Sequence, residues 1–388
     1  DYIYPYLDNP DSHLQQGALV GLLRSGEFEG IAAAAVKLTA SLNSSQPRER
    51  IFVAQVLAEG EVAGFYRPLL QLMQDEEPAV QRAALLAAGK LKQPKLWPTV
   101  VHCLGVPQLR ATAVTALVSG GEAVVPYLDA AITQPGQDRQ ILIRLAQILG
   151  RIGGEQARYI LQKQLHYPDE QVRTQILLAL NQCGYQADSN VVTQIQDMLQ
   201  AERAQAAWLV ACLVDLDQTE ATGLLRASLA AHLTRHRLRV LLWLSFLYDP
   251  QTIRQVQDAL GLGRSLNSTL SVQTNRQKPY ALETLDVLLP ANQKTMILPL
   301  AEGLPPEQLH SRLKPHFSQQ SYSSETRLQE ILIGPERWLT PWIKAAALDA
   351  VACLPALTLS DIVASLLSSP DPVIRETALL TLHRLGST

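Results

Sequence analysis

Aromatic side chains are scarce in this chain, 5% of 388 residues, with five Phe and five Trp against eleven Tyr. A core built around large rings is therefore not to be expected, and the 47% hydrophobic share is carried mainly by Leu, Ala, Val and Ile. Small and medium aliphatics of that kind fill the thin layers between stacked helices. Cysteine is also rare: Cys103, Cys183, Cys212 and Cys353 lie at least 29 residues apart, which supports neither a disulfide framework nor a zinc site. A reducing compartment is the plainer setting. No excess of one charge is present, the formal net charge being −3. Wrapping nucleic acid as a main activity needs a broad basic surface, and this composition argues against it.

Long apolar runs are missing too. The longest, "VLLWLSFLY" at 240–248, has nine residues, far short of the roughly 20 that a spanning helix needs. No signal peptide is visible, and the opening "DYIYPYLDNPD" lacks a methionine, so the chain reads as a segment of something longer. A Gly-rich phosphate loop, a nucleophile elbow and a supported Ser/His/Asp or Cys/His set are all lacking. Catalytic groups converging from distant segments would escape such a search, yet the expectation is a protein that is not an enzyme and binds no cofactor and no metal.

What the chain does have is a repeat. "LQLMQDEEPAVQRAALLAAGKL" (70–91), "CLGVPQLRATAVTALVSGG" (103–121), "AITQPGQDRQILIRLAQILGRIG" (131–153) and "QLHYPDEQVRTQILLALNQCG" (164–184) align on Arg82, Arg110, Arg139 and Arg173, spaced by 28, 29 and 34 residues. Arg50 precedes them by 32. Near the other end "SPDPVIRETALLTLHRLG" (369–386) repeats the pattern. Each unit holds two helical patterns around a polar turn. In "SPDPVIR" Asp371 is placed to cap the second helix with Pro372 in its first turn, and Asp169 holds the same place in "YPDEQVR". Gly89, Gly153 and Gly184 are expected to close the second helices as residues tolerant of positive φ.

A lone helix pair cannot bury its apolar face, so neighbours must stack into one continuous core. The expected fold is all-α, a right-handed α/α superhelical solenoid with an irregular middle. The Pro turn, the Asp, the Val-x-Arg and the Ala/Leu second helix resemble HEAT repeats, a resemblance that speaks for fold and hardly for function. Along the chain, 1–186 reads as N-terminal HEAT-like repeats. Residues 187–315 read as irregular paired helices continuing the solenoid, with a loop at 263–278. A polar loop is expected at 316–327, and 328–388 as C-terminal HEAT-like repeats.

The middle carries a narrower resemblance. Phe246, Leu247, Tyr248 and Asp249, the run Ala281, Glu283, Leu285 and Asp286, and Ile297 to Leu300, together with "ATAVTALVSGGEAVVPYLDAAI" upstream, are similar to the HEAT-repeat region of bacterial membrane proteins related to ATP/ADP translocases. In that family a transporter-like domain precedes the repeats, and a cyclic-nucleotide-binding domain often follows. The resemblance covers about 60–330 and departs from the family at 263–278. Neither the transporter part nor a cyclic-nucleotide pocket occurs in this sequence. The resemblance implies a cytoplasmic module tethered to a membrane through other parts of a parent protein.

Two constellations stand out. His232, Arg235, His236 and Arg239 fall at i, i+3, i+4 and i+7 and share one helical face, with Leu233, Val240, Leu241 and Leu244 assigned to the opposite, core face. The sharp reading is a docking stripe for an acidic protein partner, or for anionic headgroups beside a bilayer. The bland one is a solvated face paired with acids on a neighbouring helix. His232 and His236 also have the spacing of two metal ligands, but no third ligand is near in sequence and the arginines would repel a cation. Trp338 and Trp342 in "ERWLTPWIK" form a pair of candidate interface anchors, or else close the last core layer.

The leading expectation is a non-catalytic scaffold for protein–protein interaction, its partner a separate protein or the membrane domain of the same parent chain. The rival is a HEAT-type tetrapyrrole (phycobilin) lyase or chaperone-like factor for an antenna protein, for which no specific motif is present. A HEAT-type DNA glycosylase would need a basic concave groove, which the net charge disfavours.

Overall fold

A computed structural model describes residues 2–60, 63–262, 272–318, 320–334, 339–354 and 359–386. The expected all-α repeat architecture is what it shows: among the described residues every regular element is helical. They divide into two compact units, the first Asp1–Tyr167 with Gln171–Cys183, the second Pro168–Glu170 with Gly184–Thr388.

In the first unit the α-helices run α1 Ser12–Ser25, α2 Phe28–Leu42, α3 Pro47–Gly60, α4 Tyr66–Leu72, α5 Pro78–Leu91, α6 Trp97–His102, α7 Arg110–Gly120, α8 Val125–Ile132, α9 Arg139–Ile152 and α10 Gly154–Lys163, and then α11 Glu170–Gln182. Helices α1, α3, α5, α7 and α9 pack side by side as one layer, and the even-numbered helices cover the other side. Glycine permits the closest approaches in that layer. A Cβ on Gly89 would stand 2.9 Å from the backbone of Ala116, and one on Gly150 would stand 2.8 Å from that of Ala179. Gly89 therefore does not close α5, contrary to the sequence expectation. The helix runs on to Leu91, and Lys92 takes the left-handed position at φ 53°. Gly153 and Gly184 do adopt positive φ, 69° and 64°.

In four of the repeats the arginine has the same structural task. Arg50 donates to Ser44 O at 2.8 Å, Arg110 to Leu104 O at 3.1 Å, Arg173 to Tyr167 O at 3.2 Å and Arg375 to Ser369 O at 2.9 Å. Each time the acceptor lies six residues upstream, in the turn before the second helix, so the guanidinium ties down a carbonyl left over from the preceding helix end. Arg50 also forks onto Asp75 at 2.7 and 2.9 Å, joining successive repeats. Asp371 caps its helix through Val373 N at 2.9 Å, as expected.

The stretch Arg110–Ile132 is long and apolar enough to cross a membrane by composition. It is not one helix: α7 ends at Gly120, Gly121 stands at φ 64°, and a short 3₁₀ turn leads into α8.

The second unit is organised on two long helices, α12 Ser189–Asp215 and α13 Glu220–Leu247. Their turn is held by Arg226, which donates to Leu213 O and Leu216 O at 2.6 Å each, where the C-terminal end of α12 leaves its carbonyls unsatisfied. Helices α14 Pro250–Ala259, α15 Val272–Leu288, α16 Ala291–Glu302 and α17 Pro306–Leu313 follow, and α18 Ser324–Ile333, α19 Pro341–Ala352, α20 Ser360–Ser365 and α21 Pro372–Gly386 complete the unit. Helix α17 packs on α12, α19 on α13 and α21 on α19 around one aliphatic core.

Both loops expected here need correction. Residues 272–278 belong to α15, while 263–271 lie outside the described residues. In 316–327 a helix starts at Ser324, and Phe317 and Arg327 are buried. The polar composition misled because Arg327 is polar for an internal partner and not for water.

Candidate functional site

The face expected to dock a partner is interior. His232, His236 and Arg239 are each no more than 1% exposed, and Arg235 alone of the four is half-buried. Leu233, Val240, Leu241 and Leu244 are buried as well, so α13 is covered on both sides. The reason is legible in register: Leu225, Leu229, His232, His236, Arg239, Trp243 and Phe246 follow at alternating intervals of four and three, the spacing of a single buried stripe. Three polar residues occupy the middle of an apolar seam. Trp342 is 57% exposed and does not close a core layer, and Trp338 lies outside the described residues.

Two carboxylates meet that seam, Glu170 at the start of α11 and Glu202 in α12. Arg239 Nε donates to both oxygens of Glu202 at 2.9 Å, and its Nη1 forms an ion pair with Glu170. His236 Nδ1 lies 2.7 Å from Glu202 Oε2, and His232 Nε2 lies 3.6 Å from Glu170 Oε2. The two imidazoles meet edge to face with centroids 4.9 Å apart. Arg239 Nη2 reaches His236 Nε2 at 3.1 Å. The Glu202 carboxylate can only accept, which places the proton of a neutral His236 on Nδ1, and Arg239 Nη2 lies across the ring, 2.9 Å from Nδ1 as well.

Burial sets the protonation states and the pairing amends them. Desolvation would push the Glu202 carboxyl up, but the Arg239 charge and the bonds from His236 and Arg239 override it and hold the group at about 2. Glu170 is likewise kept below its ordinary value by Arg239 against the pull of burial. Desolvation lowers His232 to about 4 and also lowers His236, so both rings are neutral at pH 7. The guanidinium of Arg239, its charge desolvated by burial, is stabilised by the two carboxylates and stays charged.

Ligand atoms of Glu170, His232 and His236 lie within 4.8 Å of one another, a donor set that suits zinc or iron. Arg239 stands among these donors, bound to Glu170 and His236. Two of the three donor residues, Glu170 and His236, are thus engaged by a cation fixed in the chain.

Sequence reading missed Glu170 and Glu202. For Glu202 a signal exists: it falls seven residues from both Ile195 and Leu209 on the apolar stripe of α12, where a charge demands a buried partner. Glu170 gives no such sign, because it stands in the first turn of a helix, an ordinary place for an acid.

A second clamp joins the other end of α12 to α18. Arg327, 1% exposed, donates through Nε to Asp215 Oδ2 at 3.0 Å and pairs with Glu330, and Trp208 Nε1 donates to Glu330 Oε1 at 3.2 Å. The Tyr322 ring faces the guanidinium at 4.8 Å. Cys212 lies buried nearby, its thiol pushed well up by desolvation.

The first unit carries an open groove of about 350 Å³ across α3, α5 and α7. Ala54, Ala58, Ala83, Ala87 and Ala116 make its floor, and Leu86, 47% exposed, stands in it. Gln55, Glu59, Lys90, Thr115 and Ser119 supply its polar groups.

Comparison with known proteins agrees with this architecture. Residues 35–118 match the family of HEAT repeats. The fold is thus an all-α array of HEAT-like repeats. Among solved structures the chain is similar to human deoxyhypusine hydroxylase in complex with glycerol, at 13% identity over 100% of this chain and 96% of that one, with a TM-score of 0.25. It is also similar to the complex of CpcE and CpcF of phycocyanin lyase from Nostoc sp. PCC7120, at 17% identity over 74% of this chain and 93% of that one, with a TM-score of 0.23. Neither likeness bears on activity. No curated protein matches the chain.

Proposed function

We propose that this protein is a non-catalytic HEAT-repeat scaffold whose α3–α5–α7 groove receives an apolar helical segment of a protein partner. The observation that carries this reading is Leu86, a large aliphatic side chain left half open to water on a floor of alanines. Small floor residues let a partner helix come close, and an exposed leucine in such a setting serves as an anchor. Glu59 and Lys90 favour a segment bearing a cation toward α3 and an anion toward α5. The buried clusters of the second unit fit a scaffold too, since their ionisable groups are committed to one another and stiffen the helices.

The finer reading, a cytoplasmic module of a transporter-like membrane protein, rests on the sequence resemblance around Phe246–Asp249, Ala281–Asp286 and Ile297–Leu300. On that reading the partner segment belongs to the membrane domain of the parent chain. The anionic-lipid contact loses its support, because the stripe assigned to it is buried.

The test is site-specific photo-crosslinking in cell extract from a cysteine placed at Ser119, in the groove, and at Lys163, outside it. A discrete adduct, identified by mass spectrometry, is expected from position 119 alone and should vanish in the Leu86→Glu variant. Equal labelling from both positions, or an adduct indifferent to Leu86→Glu, would remove the groove from the account.

A further inference from the structure

A charged group withdrawn from water is ordinarily paired. The second unit contains a place where two cations are turned to one point without an acid between them. Arg237, on the flank of α13 away from the Glu202 cluster, and Lys278, in α15, both approach Gly303 at the end of α16. Arg237 Nη1 and Lys278 Nζ lie 3.6 and 3.7 Å from where a Cβ of Gly303 would stand. Gly303 adopts φ 65° and carries no side chain, so no side chain stands at the point to which the two cations turn.

Among the described residues neither cation makes a hydrogen bond or an ion pair, and Arg237 Nε is buried without a partner. The neighbouring acid is engaged elsewhere: Glu302 accepts Arg312 Nη1 on both oxygens, at 3.0 and 2.9 Å. Val240, Leu241, Leu262, Ile297, Leu300 and Ala301 wall the arginine stem around a cavity of only about 10 Å³, so any ligand sits at the mouth and not inside. Arg203 in α12 is also buried and, among the described residues, bonds to Gln200 alone. It stands by itself, whereas Arg237 and Lys278 converge.

We propose that Arg237, Lys278 and the space over Gly303 form a binding site for a phosphate group. A guanidinium fork beside an ammonium is the arrangement that holds a tetrahedral oxyanion through several charge-assisted hydrogen bonds. Desolvation depresses the Arg237 pKa with no carboxylate to oppose it, the electrostatic mark of a missing counter-charge. The competing explanation is that both cations serve the negative end of α16, although neither donates to a carbonyl there.

The two explanations differ in sign. In phosphate-free buffer Arg237→Met removes an uncompensated cation on our account and raises Tm; on the capping account it lowers Tm. The binding arm is calorimetric titration of the full chain with inorganic phosphate at constant ionic strength, with glycerol phosphate in parallel to tell a free from an esterified source. Saturable binding is expected, weakened about tenfold or more by Arg237→Met or Lys278→Gln and unchanged by Lys163→Gln. A lowered Tm for Arg237→Met, no saturable binding, or an equal loss with Lys163→Gln would overturn the site. Should Arg237→Met fail to fold, that too decides for capping, and Lys278→Gln still reads the binding arm.

Discussion

Arg239 is the side chain on which the second unit depends most. It offsets Glu170 and Glu202 at once, and Glu202, 3% exposed, has almost no water to turn to, while Glu170 keeps a small exposed share. Removing one member of a buried pair leaves the other charge uncompensated, at a cost of about 3–5 kcal/mol. Arg239→Met is therefore expected to lower stability by that order, read as a shift of the urea midpoint. Glu202→Gln combined with Arg239→Met should cost less than the sum of the single changes, because the two groups share one interaction. Additivity in that cycle would show that Arg239 acts mainly through packing. The same chemistry explains why the His/Arg stripe is not a docking surface: its charges are consumed inside the molecule.

Among the helices of the first unit, spacing is governed by the absence of a side chain. Gly89 sits within α5 against Ala116 of α7, and Gly150 within α9 against Ala179 of α11. Both recur late in the second helix of a repeat, where adjacent repeats touch most closely. Alanine is the better helix former, so a purely local account predicts that Gly89→Ala stabilises. The backbone contact at 2.9 Å predicts the opposite, a loss of about 1–3 kcal/mol as α5 and α7 are forced apart. Thermal unfolding of Gly89→Ala decides between them by the sign of the change in Tm.

For the protein taken entire, acid is the informative perturbation. His232 has a folded pKa of about 4 against 6.5, so the folded state resists a proton that the unfolded chain accepts. Stability from this group is complete above pH 6.5 and is lost as pH falls toward 4. Glu202, at about 2 against 4.5, contributes fully above pH 4.5 and loses its contribution as pH falls toward 2. The two windows adjoin, and each is worth on the order of a few kcal/mol. Urea midpoints should therefore fall in two successive stages between pH 7 and pH 2, and His232→Asn should reduce the upper stage alone, leaving in it the share of His236, which burial also lowers. An unchanged upper stage in that variant would show that His232 is not its source.

Repeat spacing, turn residues and small apolar side chains are local or periodic features, and they suffice for the all-α repeat fold. Asp371 capping its helix and the arginine shared by the repeats follow from them, because helix ends impose the same unsatisfied groups wherever they occur. The paired helices expected within 187–315 rest on the same kind of pattern, and α12 and α13 are found there. Periodicity alone does not tell whether a polar stripe faces water or a second layer of protein. The 4–3 spacing around His232, His236 and Arg239 was present in the chain, yet its meaning depended on Glu202, 34 and 37 residues away from His236 and Arg239, and on Glu170, farther still. The charge of a helix face is written in the sequence; whether that charge meets solvent or a buried carboxylate is decided by which helices the tertiary fold lays against it.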